Sequence, residues 1–235
     1  MSKDIDHILE KARIDARKDV VKEFFVKNSK IIIRLSLVFL IVALAIVVNN
    51  AIKAKRQAEY STILHQAHIA KEEFDLLKAK NLLKEIINSD DAPLLISTLA
   101  NLRYAELILQ ENNFQQALDI FIKIANCQSC EDFAQDLAKL LAVKVWMMND
   151  NMQKDDGLLS QMQEFAKKAK YLKDHIDEQM ALYEKNQGNL QKSYEIFSKI
   201  VDRIDGYQAV KDRAQEQISE LMTKIKIKDE NNSKK

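Results

Sequence analysis

Cys127 and Cys130 are the residues whose spacing comes closest to a known chemistry. In thiol–disulfide oxidoreductases such a pair lies at a helix amino terminus, which activates one thiol while the second cysteine resolves the mixed disulfide. Here the pair comes at the end of a helical pattern, and no strand pattern precedes it. A loop disulfide, or two unlinked cysteines, is therefore the preferred interpretation, with a thiol–disulfide oxidoreductase as the alternative.

A metal site is the second chemistry to consider. His65 and His68 lie three residues apart in a helical pattern, and Glu72 follows four residues later, so the three share one helix face. Hydrolytic zinc helices carry a glutamate directly after the first histidine, and this sequence has none there. The cysteines lack two further ligands at zinc spacing, and no phosphate-binding glycine loop or nucleophile elbow occurs. We expect no enzyme activity, metal or cofactor.

Residues 31–48 form the strongest physical signal in the chain. They comprise 14 large apolar residues, two alanines, one serine and a single charge, Arg34. As a helix this stretch is about 27 Å long, which matches the hydrocarbon core of a bilayer. Arg34 lies near its amino-terminal end, where a guanidinium can reach the headgroups. The sequence predicts a transmembrane helix over residues 31–50 that includes Ile31, Phe39 and Val48.

The flanks of the span predict its orientation. Residues 1–30 carry eight Lys/Arg and six Asp/Glu with apolar residues at helical spacing, which indicates a cytosolic amphipathic segment. Five basic residues lie shortly before the span against three shortly after it, so the positive-inside rule places the amino terminus in the cytosol. The apolar run continues beyond Ala43-Leu44-Ala45, a sequence that resembles a signal-peptidase site. We therefore expect an uncleaved signal anchor.

The remaining chain is predicted to be a helical-repeat domain over residues 51–225, followed by a disordered tail over 226–235. Three glycines and one proline in 235 residues favour an all-α fold, and a net charge of +1 argues against a nucleic-acid partner. Ala67, Ala105, Ala142 and Ala181 recur at intervals of 38, 37 and 39 residues. This spacing predicts about four helical units and a capping helix.

Further small and large residues follow these alanines at fixed distances. Small residues come 12 positions later in three units, and each is followed by a large residue four positions on. The two series are Ala79, Ala117 and Ser193, and Leu83, Phe121 and Phe197. Small residues let two antiparallel helices approach closely, and large ones fill the next gap. Such helical pairs bury their apolar faces only by stacking.

Residues 101–124 resemble a tetratricopeptide repeat. Ala105, Asn112-Asn113-Phe114, Ala117 and Phe121 stand where that motif has a small residue, a turn with an aromatic, a small residue and an aromatic. Residues 177–200 repeat the pattern, whereas residues 149–157 make an overlong turn in the third unit. The resemblance implies a tetratricopeptide-like solenoid behind the span.

The repeat register also indicates a concave groove that contacts partner proteins. An aromatic flanked by charges in such a groove suits an extended peptide, which offers both apolar side chains and polar backbone. Trp146 is equally well explained as a core aromatic. The candidate groove residues are Leu99, Leu102, Glu106, Lys139, Trp146 and Leu182.

The order of parts resembles the bacterial ancillary subunits of the Sec translocation channel. An aromatic pair, Phe24-Phe25, precedes Lys-Asn-Ser-Lys, one span, a polar helix with Tyr60 and a tetratricopeptide-like domain. The resemblance implies an inner-membrane protein with a periplasmic domain that scaffolds protein–protein contacts. Its expected partners are membrane lipid and translocon subunits, a periplasmic chaperone or emerging client chains. The alternatives are a scaffold for another envelope complex and a membrane-tethered oxidoreductase that uses Cys127 and Cys130.

Overall fold

The computed structural model describes the backbone of residues 2–232, together with the side chains of Arg34 and of residues 37–226. All regular structure in this part of the chain is helical, which confirms the all-α prediction there. Its ten helices are α1 (Ser2–Glu72), α2 (Leu76–Ile87), α3 (Leu94–Gln110), α4 (Phe114–Ala125), α5 (Asp132–Met147), α6 (Asp150–Gln153), α7 (Asp156–Lys168), α8 (Lys173–Asn186), α9 (Leu190–Asp202) and α10 (Gln208–Asn232). The chain divides into two compact units, Met1–Lys55 and Arg56–Lys235.

Helix α1 contains the candidate membrane span. Among the described residues, one helical stretch, Leu37–Glu72, is long and apolar enough to cross a membrane. Its large apolar side chains between Leu37 and Val48 are all exposed, and Phe39 is 76% exposed. Water disfavours a contiguous apolar surface of this extent, whereas lipid chains accommodate it. The structure is thus consistent with anchoring by a single span.

The sequence-based positions at the two chain ends have different outcomes. Of the predicted span residues, Arg34, Phe39 and Val48 are exposed on α1, and the side chain of Ile31 lies outside the described residues. The side chains of the predicted amphipathic segment, residues 1–30, also lie outside them. Helix α10 extends to Asn232, and side chains beyond residue 226 are not among those described, so the disordered tail stays a prediction.

The helical turns of the second unit repeat with a fixed period. Phe74, Asn112 and Gly188 have φ values of 62°, 60° and 77°, which lie in the left-handed region. They are separated by 38 residues and by twice 38, and each follows one of the repeating alanines by seven residues. A left-handed residue ends a helix and directs the chain into the next one. The corresponding position of the third unit is Asp150, the first residue of α6, which accounts for the overlong turn.

The repeating small residues lie where neighbouring helices approach one another. They are Ala67, Ala79, Ala105, Ala117, Ala142, Ala181 and Ser193, of which none is more than 3% exposed. The Ser193 hydroxyl donates a hydrogen bond of 2.8 Å to the Ala181 carbonyl oxygen, which joins α9 to α8. Helix α4 packs against α3 and α5, and α8 packs against α5, α7 and α9. The second unit is therefore helical-repeat-like.

Three buried apolar clusters fill the second unit. The first joins α1, α2 and α3 around Leu83 and Ile86. The central and largest involves α3 to α8 and includes Phe121 and Trp146. The last joins α8, α9 and α10 around Phe197. Each cluster draws side chains from more than one helical pair, so no pair completes its core alone.

Polar contacts link each helical pair to the next at intervals of 38 residues. Thr98, Asp136 and Asp174 lie in α3, α5 and α8 and are at most 5% exposed. The Thr98 hydroxyl oxygen lies 3.6 Å from the sulfur of Cys130, in the loop before α5. Asp174 accepts a hydrogen bond of 3.0 Å from the Tyr207 backbone N–H, just before α10. We call these three contacts the inter-unit joints.

The middle joint is the most extensively bonded. One oxygen of Asp136 accepts backbone N–H groups from Lys170, Tyr171 and Leu172 at 2.7, 2.6 and 3.2 Å, in the loop before α8. Its other oxygen accepts the Lys139 ammonium at 2.8 Å. Burial by itself raises the pKa of the Asp136 carboxyl, but these hydrogen bonds outweigh it and hold the pKa below its ordinary value. The charged carboxylate therefore stabilises the fold.

Replacing Asp136 should destabilise the protein strongly. Asp136→Ala leaves the buried Lys139 ammonium unpaired and three backbone N–H groups without an acceptor, at a cost of about 3 kcal/mol or more. Asp132→Ala, which removes an exposed pair to Lys170 from the same helix, should cost less than about 1 kcal/mol. Urea unfolding in detergent measures both. Equal losses would contradict the role of the joint.

The same carboxylate gives a pH dependence of known sign. Because its pKa is lower in the folded state, its stabilisation is complete above the unfolded value of 3.8 and is lost as pH falls through the folded value. The difference in unfolding free energy between wild type and Asp136→Asn should thus be constant at neutral pH and shrink in acid. A difference that grows in acid would contradict the assignment.

Phe74 should be a site where a small residue stabilises the protein. Its side chain is 88% exposed, yet its backbone adopts the left-handed conformation that Asn112 and Gly188 occupy in other units. Phe74→Gly should raise the unfolding free energy by about 0.5–1 kcal/mol, because glycine enters this region without a Cβ penalty. Phe74→Ala keeps that penalty and serves as the control. Thermal unfolding of both variants decides, and a gain with alanine alone would refute this explanation.

Candidate functional site

An apolar cavity of about 250 Å³ opens between α1 and α3. We call it the α1–α3 cavity. Its floor is formed by Ala67, Leu83 and Leu107, none more than 3% exposed. Leu64 and Leu99 complete the apolar lining, and Leu99 is 37% exposed at the opening. The cavity thus exposes to solvent an apolar surface that the core does not fill.

Basic and imidazole groups surround this cavity. Its lining includes Lys71 and Arg103 together with His65 and His68. Both cations pair with the same carboxylate, because Glu106 lies 3.5 Å from the Lys71 ammonium and 3.4 Å from the Arg103 guanidinium. One carboxylate shared by two cations leaves the edge with a positive charge in excess. An apolar group that carries a nearby negative charge is therefore the best complement.

The size of the cavity limits what enters it. A dry cavity of about 150 Å³ accommodates benzene, and small-molecule pockets usually exceed about 300 Å³. The α1–α3 cavity lies between these limits and therefore fits one large apolar side chain. Such an anchor, with polar contacts around it, is typical of protein–protein recognition.

Of the six predicted groove residues, the structure brings only Leu99 and Glu106 to this cavity. Leu99 lines it, and Glu106 binds two of its cations. Leu102 is 4% exposed and belongs to the central core, and Leu182 packs against the last core cluster. Lys139 is buried beside Asp136 at the middle joint. A single groove with all six residues is therefore wrong for this structure.

Trp146 is a core residue rather than a groove residue. It is 0% exposed, its ring centroid lies 4.4 Å from that of Tyr183, and its indole N–H donates a hydrogen bond of 3.0 Å to the Met152 carbonyl oxygen. Met152 lies in α6, the insertion that lengthens the third turn. The inserted turn supplies the buried acceptor that an indole needs, and this explains why the aromatic points into the core.

Cys127 and Cys130 form a disulfide in the loop between α4 and α5, with a Cα–Cα distance of 5.4 Å. Cys127 follows the carboxyl terminus of α4, and Cys130 precedes Glu131, the residue before α5. Both cysteines lie outside the helices, and the residues that open α5 are acidic. Negative charge disfavours a thiolate, so these surroundings suit a structural bond better than a catalytic one.

The lining residues on α1 were missed as groove residues by the sequence reasoning, although a signal was present. Moving back 38 residues from Leu99, Leu102, Arg103 and Glu106 gives Ser61, Leu64, His65 and His68, all of which line the cavity. Among the described residues, no three His, Cys, Asp or Glu side chains are grouped to bind a metal ion. His65 and His68 are thus cavity residues in the structure.

The burial of Trp146 gives a spectroscopic prediction. As the single tryptophan of the chain, it should emit at short wavelength and resist quenching by iodide, because its ring is shielded from water. Adding a second indole with Leu99→Trp, at the mouth of the α1–α3 cavity, should introduce a component that iodide quenches. Strong quenching of the wild-type protein would place Trp146 at the surface and contradict the structure.

Comparison of the chain with protein-family models, with curated proteins and with solved structures finds no match. The resemblance to ancillary translocon subunits therefore stays a prediction, carried by the aromatic pair before the span and by the repeat pattern behind it.

Proposed function

We propose that this protein is a membrane-anchored interaction scaffold whose helical-repeat domain binds partner proteins. Its setting is the bacterial inner membrane, with the amino terminus in the cytosol and a tetratricopeptide-like solenoid in the periplasm. The partners are subunits of the Sec channel, a periplasmic chaperone or emerging client chains. In this proposal the protein acts by binding and carries out no chemical step.

The observation that carries this proposal is the α1–α3 cavity. It is preformed, it is apolar at its floor, and its edge has excess positive charge. These properties suit one apolar side chain of a partner with an acidic residue beside it.

The candidate span adds a physical reason why weak binding is sufficient. A protein held at a membrane meets other proteins of that membrane at a raised effective concentration. The exposed apolar side chains between Leu37 and Val48 support such an anchor. A cavity that takes one side chain is then adequate for function, because anchoring supplies part of the apparent affinity.

In-cell photocrosslinking tests this proposal. A photoreactive amino acid at Leu99, in protein retained by the membrane after alkaline carbonate extraction, should form adducts with channel subunits, a chaperone or exported chains. The same amino acid at Gln115, an exposed position on α4, should not form them. Ser61→Trp should reduce the Leu99 adducts, because the indole occupies the edge of the cavity. Equal labelling from both positions would contradict the proposal, and adducts with an unrelated envelope complex would favour the alternative scaffold.

The thiol–disulfide alternative has its own readout. An oxidoreductase with Cys130→Ser retains one attacking thiol and accumulates mixed disulfides with its substrates. On the scaffold proposal this variant should give no such adducts on a non-reducing gel. Their appearance would transfer the assignment to the oxidoreductase.

A further inference from the structure

A second surface, distinct from the α1–α3 cavity, lies between α7, α8 and α9. Its volume is about 410 Å³. Helix α8 contributes Lys173, Asp177, Met180 and Glu184, at intervals of four, three and four residues, which place them on one helix face. Helix α9 contributes a face with the same intervals, Lys192 to Arg203. We call this surface the basic groove.

The charges of the basic groove do not balance. Its lining contains the cations Lys167, Lys173, Lys192, Lys199 and Arg203 and the carboxylates Asp177 and Glu184. The groove therefore carries a formal charge of +3, whereas the whole chain carries +1. This excess is local, so it reflects the arrangement of α7, α8 and α9 rather than the composition of the protein.

Both carboxylates already have partners within the groove. Glu184 lies 2.6 Å from the Lys192 ammonium, and Asp177 lies 3.0 Å from Lys173 and 2.8 Å from Arg203. Burial raises the pKa of Asp177 against the opposing effect of Lys173, which indicates poor access of water to the floor.

Two cations of the lining are left available to a ligand. In the described part of the chain, Lys167 and Lys199 have no carboxylate within salt-bridge distance, and both are exposed. They come from α7 and α9, so they offer two separate points of attachment. Charges beside a poorly hydrated floor attract an opposite charge more strongly than they would in open water.

The floor between these charges is apolar. Met180 is 5% exposed and Ala166 is 9% exposed, and Ile196 is half-buried beside them. A methionine side chain adapts to the shape of what lies on it. The groove thus combines an adaptable apolar strip with separate lysines, whereas phosphate recognition favours converging arginine forks. Its single lining arginine, Arg203, is already bound to Asp174 and Asp177.

We propose that the basic groove binds an acidic peptide segment of a partner protein, with an apolar side chain on Met180 and carboxylates at Lys167 and Lys199. The groove shares no residue with the α1–α3 cavity, so the protein would hold two partner segments at once. This surface goes beyond the proposed function, because it assigns a second site and the charge of what it binds.

Fluorescence anisotropy with the full-length protein in a neutral detergent tests this proposal. The probe is a labelled synthetic peptide of glutamates with one central leucine, and the control peptide has glutamine in place of each glutamate. The wild-type protein should bind the acidic peptide, with an affinity that falls as salt is added, and should bind the glutamine peptide much more weakly.

Charge-reversal variants locate the binding. Lys167→Glu with Lys199→Glu should weaken binding by about tenfold or more, because two attractive contacts become repulsive. Lys78→Glu with Lys123→Glu, at exposed positions on α2 and α4, makes the same change in net charge and should leave binding unchanged. Circular dichroism verifies that both variants are folded.

The outcomes separate the two sites. Equal weakening by both variants would show attraction to net charge alone and would overturn the groove, as would failure of the wild-type protein to bind the acidic peptide. Ser61→Trp, which occupies the α1–α3 cavity, should leave peptide binding intact. Loss of binding in that variant alone would move the acidic segment to the α1–α3 cavity and refute the basic groove.

Discussion

The carboxylate of Asp136 is the interaction on which the arrangement of the helical pairs depends most. It binds three consecutive backbone N–H groups before α8 and the buried ammonium of Lys139. Apolar contacts between helices tolerate sliding, but a carboxylate fixed to particular N–H groups does not. Thr98 and Asp174 make the corresponding contacts one unit earlier and one unit later. The spacing between successive units is therefore set by polar bonds and filled by apolar packing.

Both candidate sites are by-products of this spacing. The α1–α3 cavity exists because corresponding faces of successive units approach without meeting, so Leu99 and Leu64 remain accessible beside a buried floor. The basic groove lies between the third and fourth helical pairs, whose junction is fixed by Asp136. Neither site needs a long loop, and the side chains that line them stand on helices that the core holds in place. Such surfaces bind with little loss of conformational entropy.

The sequence was sufficient for the helical content, the candidate span and the repeat register, because these rest on local patterns. The recurring alanines and the left-handed turn residues follow one period, and a period can be read without coordinates. The side toward which Trp146 points could not be read in this way, since it depends on the carbonyl of Met152 in an inserted turn. The basic groove was also beyond reach, because its lysines come from separate helices and each one looks like an ordinary surface residue.

Helix α6 has a consequence for how a chain of this kind can change in length. It adds residues at the turn between α5 and α7, at one end of a helical pair, while the bonds of Asp136 lie in the loop before α8. An insertion at the turn leaves those bonds intact, whereas one in that loop would separate the carboxylate from its N–H groups. Gene duplication and slippage can thus lengthen such a domain by whole pairs or at its turns, and purifying selection removes the other insertions.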